Sequence, residues 1–223
     1  MTDDLSAGRS PSDSVAHPIL LYDGVCGLCN RLVQFILHRD PTAIFRFASL
    51  QSPLAASILQ RHHVNPTDLD TVYVPIGMGS GICGLITTRD LLGLKTEIVG
   101  VVARKAPAMA LSFAAGKAVP TNSAQTFADG MATRDPRPEA VAIIKHGAAR
   151  ILQLSEDEIA EGVRAYFQDT HNVAEGGGAA PLAGLMQERA RMTGKKVAVV
   201  LSGGNIDTSI YQRILAGETP KVG

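Results

Sequence analysis

The chain has no lysine before Lys95 and no tryptophan anywhere. Aromatic residues make up 4% of its 223 residues, too few for the stacking platforms of a single-strand nucleic-acid binder. Lysine plus arginine and aspartate plus glutamate number 21 each, so the formal charge is zero. That balance gives no general pull toward nucleic acid or an anionic membrane. No apolar run is long enough to span a bilayer. Three cysteines cannot build a disulfide framework and fit a reducing compartment, so the expected location is cytoplasmic. Residues 1–17 hold Asp3, Asp4, Asp13 and several serines without an apolar core. They are expected to form a disordered tail rather than a secretory leader.

A hydrophobic content of 45% supports a packed globular protein of one large or two small domains. Strands and helices alternate along it. Pro18–Tyr22 is a short apolar run expected to be a buried strand, and Cys29–Arg39 an amphipathic or largely buried helix ended by Asp40-Pro41. Ile44–Ala48 alternates like a strand, and Leu54–His63 reads as a helix. A third strand over Thr71–Ile76 leads into a glycine-rich turn and a helix from about Ile82 to Leu92. Further strands are expected at Glu97–Val102, Ile151–Leu154 and Lys196–Leu201, the last one buried. Helices are expected at Ala108–Ala115, Pro138–Gly147, Ala179–Arg191 and from Ser155 to about Thr170. Ser155 supplies an N-cap followed by acids in the first turn. The alternation predicts an α/β fold with a mainly parallel sheet and flanking helices.

The run Gly77-Met78-Gly79-Ser80-Gly81 sits where a strand gives way to a helix. Successive backbone amides at such a turn converge on one point, and the helix dipole favours an anion there. Glycine permits the close approach of a phosphate. On loop chemistry alone, an ordinary strand-to-helix turn is an equal reading.

Wider motifs extend the pattern. Pro75–Gly84, Ala106–Met109, Thr126–Ala132, Thr170–Ala179 and Val199–Asp207 resemble, in order, the cofactor-holding segments of the fold-type II pyridoxal-phosphate (PLP) enzymes, the threonine dehydratase and serine racemase group. The resemblance runs from about Asp70 to Ala216. It implies a partial PLP-dependent lyase domain over residues 73–217, followed by a short tail at 218–223. The intact reaction would eliminate water from threonine or serine, giving a 2-oxoacid and ammonia. The amides of Gly77, Met78, Gly79, Ser80 and Gly81 would hold the cofactor phosphate, and Ser202 would meet the pyridine nitrogen. Asp129 and Glu175 would line the pocket or shape its loops, and a capping role for Ser202 is the alternative. Val102 and Ala108 stand where some relatives place metal-binding acids, so no metal site is expected.

The same resemblance places a Schiff-base lysine upstream of the glycine loop, in a Ser-x-Lys-x-Arg-type segment. This chain has none there: its lysines are Lys95, Lys105, Lys117, Lys145, Lys195, Lys196 and Lys221. A lost amine removes covalent anchor and general base together. Weak PLP binding and negligible dehydratase turnover are the expectation for a truncated relative. Self-association is expected through exposed sheet edges or apolar faces, and an inactive fragment that pairs with an intact dehydratase subunit is a further alternative.

Upstream, Cys26-Gly-Leu-Cys29 lies between a predicted strand and a helix. A thiolate at a helix N-terminus is stabilised by the dipole, and a second cysteine can resolve a mixed disulfide. Zinc binding would need two further ligands, which His38, His62 and His63 do not supply at a suitable spacing. Two ordinary buried cysteines are the third alternative. Leu20–Arg31 and Phe45–Ser52 resemble the DCC family of thioredoxin-like thiol-disulfide oxidoreductases. That implies a partial β-α-β-α segment over residues 18–72, with Cys26 as nucleophile and Cys29 as resolver. Asp68–Val74 fits either family's pattern. Cys83 is expected to serve packing.

Overall fold

A computed structural model describes residues 18–22, 27–49, 52–61 and 69–221. The chain divides into two compact units, residues 1–66 and 67–223.

In the first unit, strand β1 (Ile19–Tyr22), helix α1 (Gly27–Leu37), strand β2 (Arg46–Ser49) and helix α2 (Pro53–Arg61) follow one another. The two strands pair in parallel, Ile19 opposite Arg46. The Asp40 carboxylate closes the α1–β2 turn by accepting the amides of Ile44 (3.0 Å) and Phe45 (2.8 Å), the local bonding that favours Asp in turns. The expected order of elements is present. The expected burial is not: Ile19 is exposed, and on α1 Leu32, Phe35 and Leu37 are exposed while Val33 is buried. A two-stranded sheet offers too little surface to cover both strand faces and a helix.

In the second unit, four parallel strands run in the order β5-β4-β3-β6. They are β3 (Thr71–Pro75), β4 (Glu97–Ala103), β5 (Arg150–Leu154) and β6 (Val197–Val199). Helices α3 (Ser80–Leu91), α4 (Ala108–Ala115), α5 (Pro138–Gly147), α6 (Glu156–Thr170), α7 (Gly176–Gln187) and α8 (Thr208–Leu215) connect and flank them. A 3-10 turn spans Asp129–Met131. The run of β4 shows why the sheet is covered twice. Ile98 and Val102 pack with Ile82, Ile86 and Ile144 of α3 and α5. Val99, Val101 and Ala103 pack with Ala180 and Ala183 of α7. Alternate side chains of one strand thus feed two cores, as expected for a buried parallel sheet. Gly100 takes the remaining place because a Cβ there would lie 2.4 Å from Ile76 Cδ1.

Three expectations need correction. The helix expected from Ala179 begins at Gly176 and ends at Gln187. The run of three glycines is its first turn, where two of them pack too closely for side chains: a Cβ on Gly176 would stand 2.8 Å from Ala128 Cα, and one on Gly178 2.3 Å from the Gly203 carbonyl oxygen. The buried strand expected over Lys196–Leu201 is β6, three residues long and half-buried. It is an edge strand with β3 as its partner. Helix α8 was not expected; its short amphipathic run packs Ile214 against α6 and α7.

Ser155 caps α6 as anticipated and does so reciprocally. Its hydroxyl accepts the Glu158 amide (3.2 Å), and the Ser155 amide donates to Glu158 Oε2 (2.7 Å). Burial opposes the Glu158 carboxylate, but bonds from the Ser155 amide and hydroxyl and from Gln187 hold it below the usual carboxylate range. Replacing Ser155 with alanine is expected to cost about 1 kcal/mol of stability, measured as a lower urea midpoint at unchanged slope.

A polar network joins the end of α7 to the sheet. Tyr73 donates to Glu188 Oε2 (2.6 Å), and Arg150 donates to the same oxygen from Nη2 (2.6 Å) and to Glu97 from Nη1 (3.0 Å). Burial and the Glu188 contact push the Tyr73 phenol up to about 12.

Candidate functional site

The chain runs from β3 through β4 to β5 on one side, then returns to β6 on the other. Strand β3 is therefore a switch point, and the carboxyl end of such a strand opens a crevice. A cleft of about 410 Å³ lies there, walled by Val74 and Pro75, the Gly77–Gly81 turn, Gly130 and Met131, Glu175 and Gly177, and Val200 and Ser202.

The turn presents a row of backbone donors to the cleft. Among the described residues, no acceptor takes the amides of Gly77, Met78, Gly79, Ser80 or Gly81. Gly79 precedes α3 with φ at +101°, in the left-handed region, and no side chain caps the helix. These orphan donors at a helix start suit a phosphate. Gly77 is constrained by contact rather than dihedral, since a Cβ on it would sit 2.3 Å from the Gly130 carbonyl oxygen. Thr133 Oγ1 leans on Met78 Sδ (3.9 Å) from the same wall.

Glu175 organises the opposite side. Its Oε2 accepts the Asn205 amide (3.0 Å), and its own amide donates to the Gly203 carbonyl (3.1 Å). This bracing places the Ser202–Asn205 loop beside the start of α7. Ser202 is an exposed residue beyond the end of β6 that lines the cleft.

Seven of the sequence-predicted site residues therefore meet in one cleft: Gly77, Met78, Gly79, Ser80, Gly81, Glu175 and Ser202. Asp129 is not on that wall. It is exposed, accepts the Gly130 amide at Oδ1 (2.9 Å), and lines a neighbouring cleft with Glu175, Asn205 and Asp207. Met131 and Val200 were not singled out from the sequence; apolar residues carry no chemical signature of their own. Cys26 lies outside the described residues, and Cys29 stands on α1 with its side chain outside them. Cys83 is half-buried on α3, its thiol directed at the Ala140 carbonyl (3.7 Å) and pushed up by burial. That is a packing position.

None of the seven lysines lines the cleft. Lys95, Lys195 and Lys196 surround a larger depression of about 560 Å³ with Asp70 and Glu97, at the amino ends of the strands. That depression is the more voluminous of the two, but it holds no glycine turn and lies away from the orphan amides. Lys145 donates to the Phe113 carbonyl (2.8 Å), and Lys221 lines the cleft that contains Asp129. Among the described residues, no group of three His, Cys, Asp or Glu side chains could hold a metal ion. No helix among them is long and apolar enough to cross a membrane.

Comparison with known proteins converges on one family. The model of the pyridoxal-phosphate dependent enzymes matches residues 39–203, a span that begins within the segment read as thioredoxin-like. An L-threonine ammonia-lyase of Thermotoga maritima is 32% identical over 148 residues, covering 66% of this chain and 37% of that protein. The L-threonine ammonia-lyase of Geobacter sulfurreducens is 36% identical over 140 residues, covering 63% and 35%. A T.th. threonine deaminase crystal structure superposes with a TM-score of 0.61 at 27% identity, covering 82% of this chain and 62% of that one. The chain thus spans well under half the length of the two ammonia-lyases.

Proposed function

We propose, from the premise that this chain belongs to the pyridoxal-phosphate dependent enzyme family, that its cleft is a PLP site of the threonine dehydratase type which binds the cofactor through its phosphate without the lysine that powers turnover. The observation that carries this reading is the row of five amides at the head of α3 that have no acceptor among the described residues, closed on one side by the Gly130 carbonyl. The group fits that cradle: a phosphate needs several donors at once and close approach to the backbone, and the glycine turn offers both.

When bound, PLP would act as an electron sink for bonds at the α-carbon of an amino acid. The residues of this chain would hold it there. The Gly77–Gly81 amides would take the phosphate oxygens. The Ser202 hydroxyl would lie toward the ring nitrogen, a neutral partner that suits loss of a β-hydroxyl more than reactions needing a protonated ring. Glu175 would keep the Ser202 loop in place through the Asn205 amide. No lysine is available at the cleft to take the α-proton, so the catalytic share of the family's chemistry is missing from this chain. Threonine or serine is the substrate class for an assembly that supplies that amine, such as pairing with an intact dehydratase subunit. A redox role for Cys26 and Cys29 finds no support in these comparisons.

A titration of the purified chain tests the reading. Pyridoxal phosphate and inorganic phosphate are expected to bind saturably, pyridoxal without its phosphate is not, and borohydride is expected to trap no single lysine. Threonine should release no ammonia above background. A stoichiometric adduct on one mapped lysine, or release of a 2-oxoacid from threonine, would contradict the lysine-free site. Failure of every phosphate-bearing probe would remove the PLP site itself.

A further inference from the structure

The wall that closes the phosphate cradle is itself held from behind by a buried acid. Glu156, in the first turn of α6, is 8% exposed. Its Oε2 accepts two bonds, from Thr126 Oγ1 (3.1 Å) and from the Phe127 amide (2.9 Å). Thr126 Oγ1 in turn accepts the Ala128 amide (3.1 Å). The next residues form the 3-10 turn: the Met131 amide donates to the Ala128 carbonyl (2.8 Å) and the Ala132 amide to the Asp129 carbonyl (2.9 Å). That turn delivers Gly130 and Met131 to the cleft, and the Gly130 carbonyl oxygen is what excludes a side chain from Gly77. On its other side the strap is pinned by α7, because a Cβ on Gly176 would fall 2.8 Å from Ala128 Cα. The second carboxylate oxygen of Glu156 is buried and has no hydrogen-bond partner among the described residues.

A buried carboxylate with one oxygen unsatisfied is costly for stability alone. Its position at the head of α6 offsets part of that cost through the helix dipole. We infer that Glu156 is a positioning residue for the cofactor site: it fixes the 126–131 strap so that the Gly130 carbonyl and the Gly77–Gly81 amides keep the spacing a phosphate requires. Glu156 touches no part of the cleft and acts through the strap. The role rests on the cleft being a phosphate site.

Bonding geometry, not charge, is the requirement this makes. A glutamine at 156 keeps an oxygen that can accept both bonds; an alanine keeps neither. The test is calorimetric titration of inorganic phosphate and of pyridoxal phosphate into the full chain and its variants, each checked for folding by circular dichroism. Glu156→Gln is expected to bind within about twofold of the unaltered chain, and Glu156→Ala about tenfold or more weakly. Thr126→Val, which leaves the acid but removes the hydroxyl relay, should shift affinity in the same direction by less. It decides the question if Glu156→Ala does not fold. Unchanged phosphate affinity in Glu156→Ala, or in Thr126→Val where that variant decides, with only a lowered melting temperature, would overturn the positioning role and leave the cofactor reading intact. An unaltered chain that takes up neither probe would overturn both.

Discussion

Replacing Gly77 with alanine is expected to weaken binding of pyridoxal phosphate by about a hundredfold while leaving a folded protein. The added methyl would have to occupy a point 2.3 Å from the Gly130 carbonyl oxygen. A Cβ has no rotamer and its partner is main chain, so no side-chain rotation relieves the contact. Either the glycine turn or the 3-10 turn must move, and each movement separates donors that act on one phosphate. Gly84→Ala on the same helix is the matched control. A Cβ there meets nothing within 4 Å, and alanine in place of a helical glycine should stabilise by about 0.5–1 kcal/mol. Equal affinities in the two variants would show that the cradle does not depend on the close approach of Gly77 and Gly130.

Arg150→Met is expected to have the largest effect on stability, a loss of about 3 kcal/mol, or a melting point lower by roughly 6–12 °C. Arg150 is the cation shared by Glu188 and Glu97, and its side chain is only 17% exposed. Removing it leaves Glu188, itself 14% exposed, with the Tyr73 hydroxyl and the more distant Arg191. The network also predicts how stability varies with pH. Burial opposes the Glu188 carboxylate, yet bonds from Arg150 and Tyr73 hold it below the ordinary value of 4.5. Its contribution is present above that value and lost as pH falls through the depressed one. Tyr73 runs the other way: its phenol is raised from 10.0 to about 12. Its contribution is complete below pH 10 and lost as pH rises toward 12. Chemical denaturation across pH should show both limbs, and Tyr73→Phe should remove the basic one. A basic limb that persists in Tyr73→Phe would assign it to another group.

The elements were legible in the sequence wherever one physical signal dominated. The apolar run of β4, the Ser155 cap and the glycine turn after β3 all stand where local pattern put them. The glycine run at 176–178 was misread because propensity treats glycine as a breaker, whereas close contacts with Ala128 and with the Gly203 carbonyl require it at Gly176 and Gly178. Burial of Lys196–Leu201 was overestimated because composition does not distinguish a central strand from an edge one. Half of the candidate site was visible as motif, namely the turn, Ser202 and Glu175. Glu156 was visible only as an acid in a first helical turn; that its carboxylate braces a strap 30 residues earlier in the chain is a property of the fold. Asp129 shares a motif with Gly130, and the 3-10 turn separates them, giving the glycine to the cleft and the aspartate to its neighbour.

The three glycines that open α7 also bear on the order in which this unit forms. Each costs about 1 kcal/mol relative to alanine in a helix, and they occupy the first turn, where nucleation is already unfavourable. A peptide of α7 alone should therefore be unstructured in water. The helix can condense only once the sheet gives Gly184 and Ala183 a surface and the Ser202–Asn205 loop has arrived to meet Gly178. Because that loop follows β6, the cleft is completed only after β6 has joined β3. Amides of α7 should then be among the last in this unit to gain protection in pulse-labelled refolding, and phosphate should speed that final step.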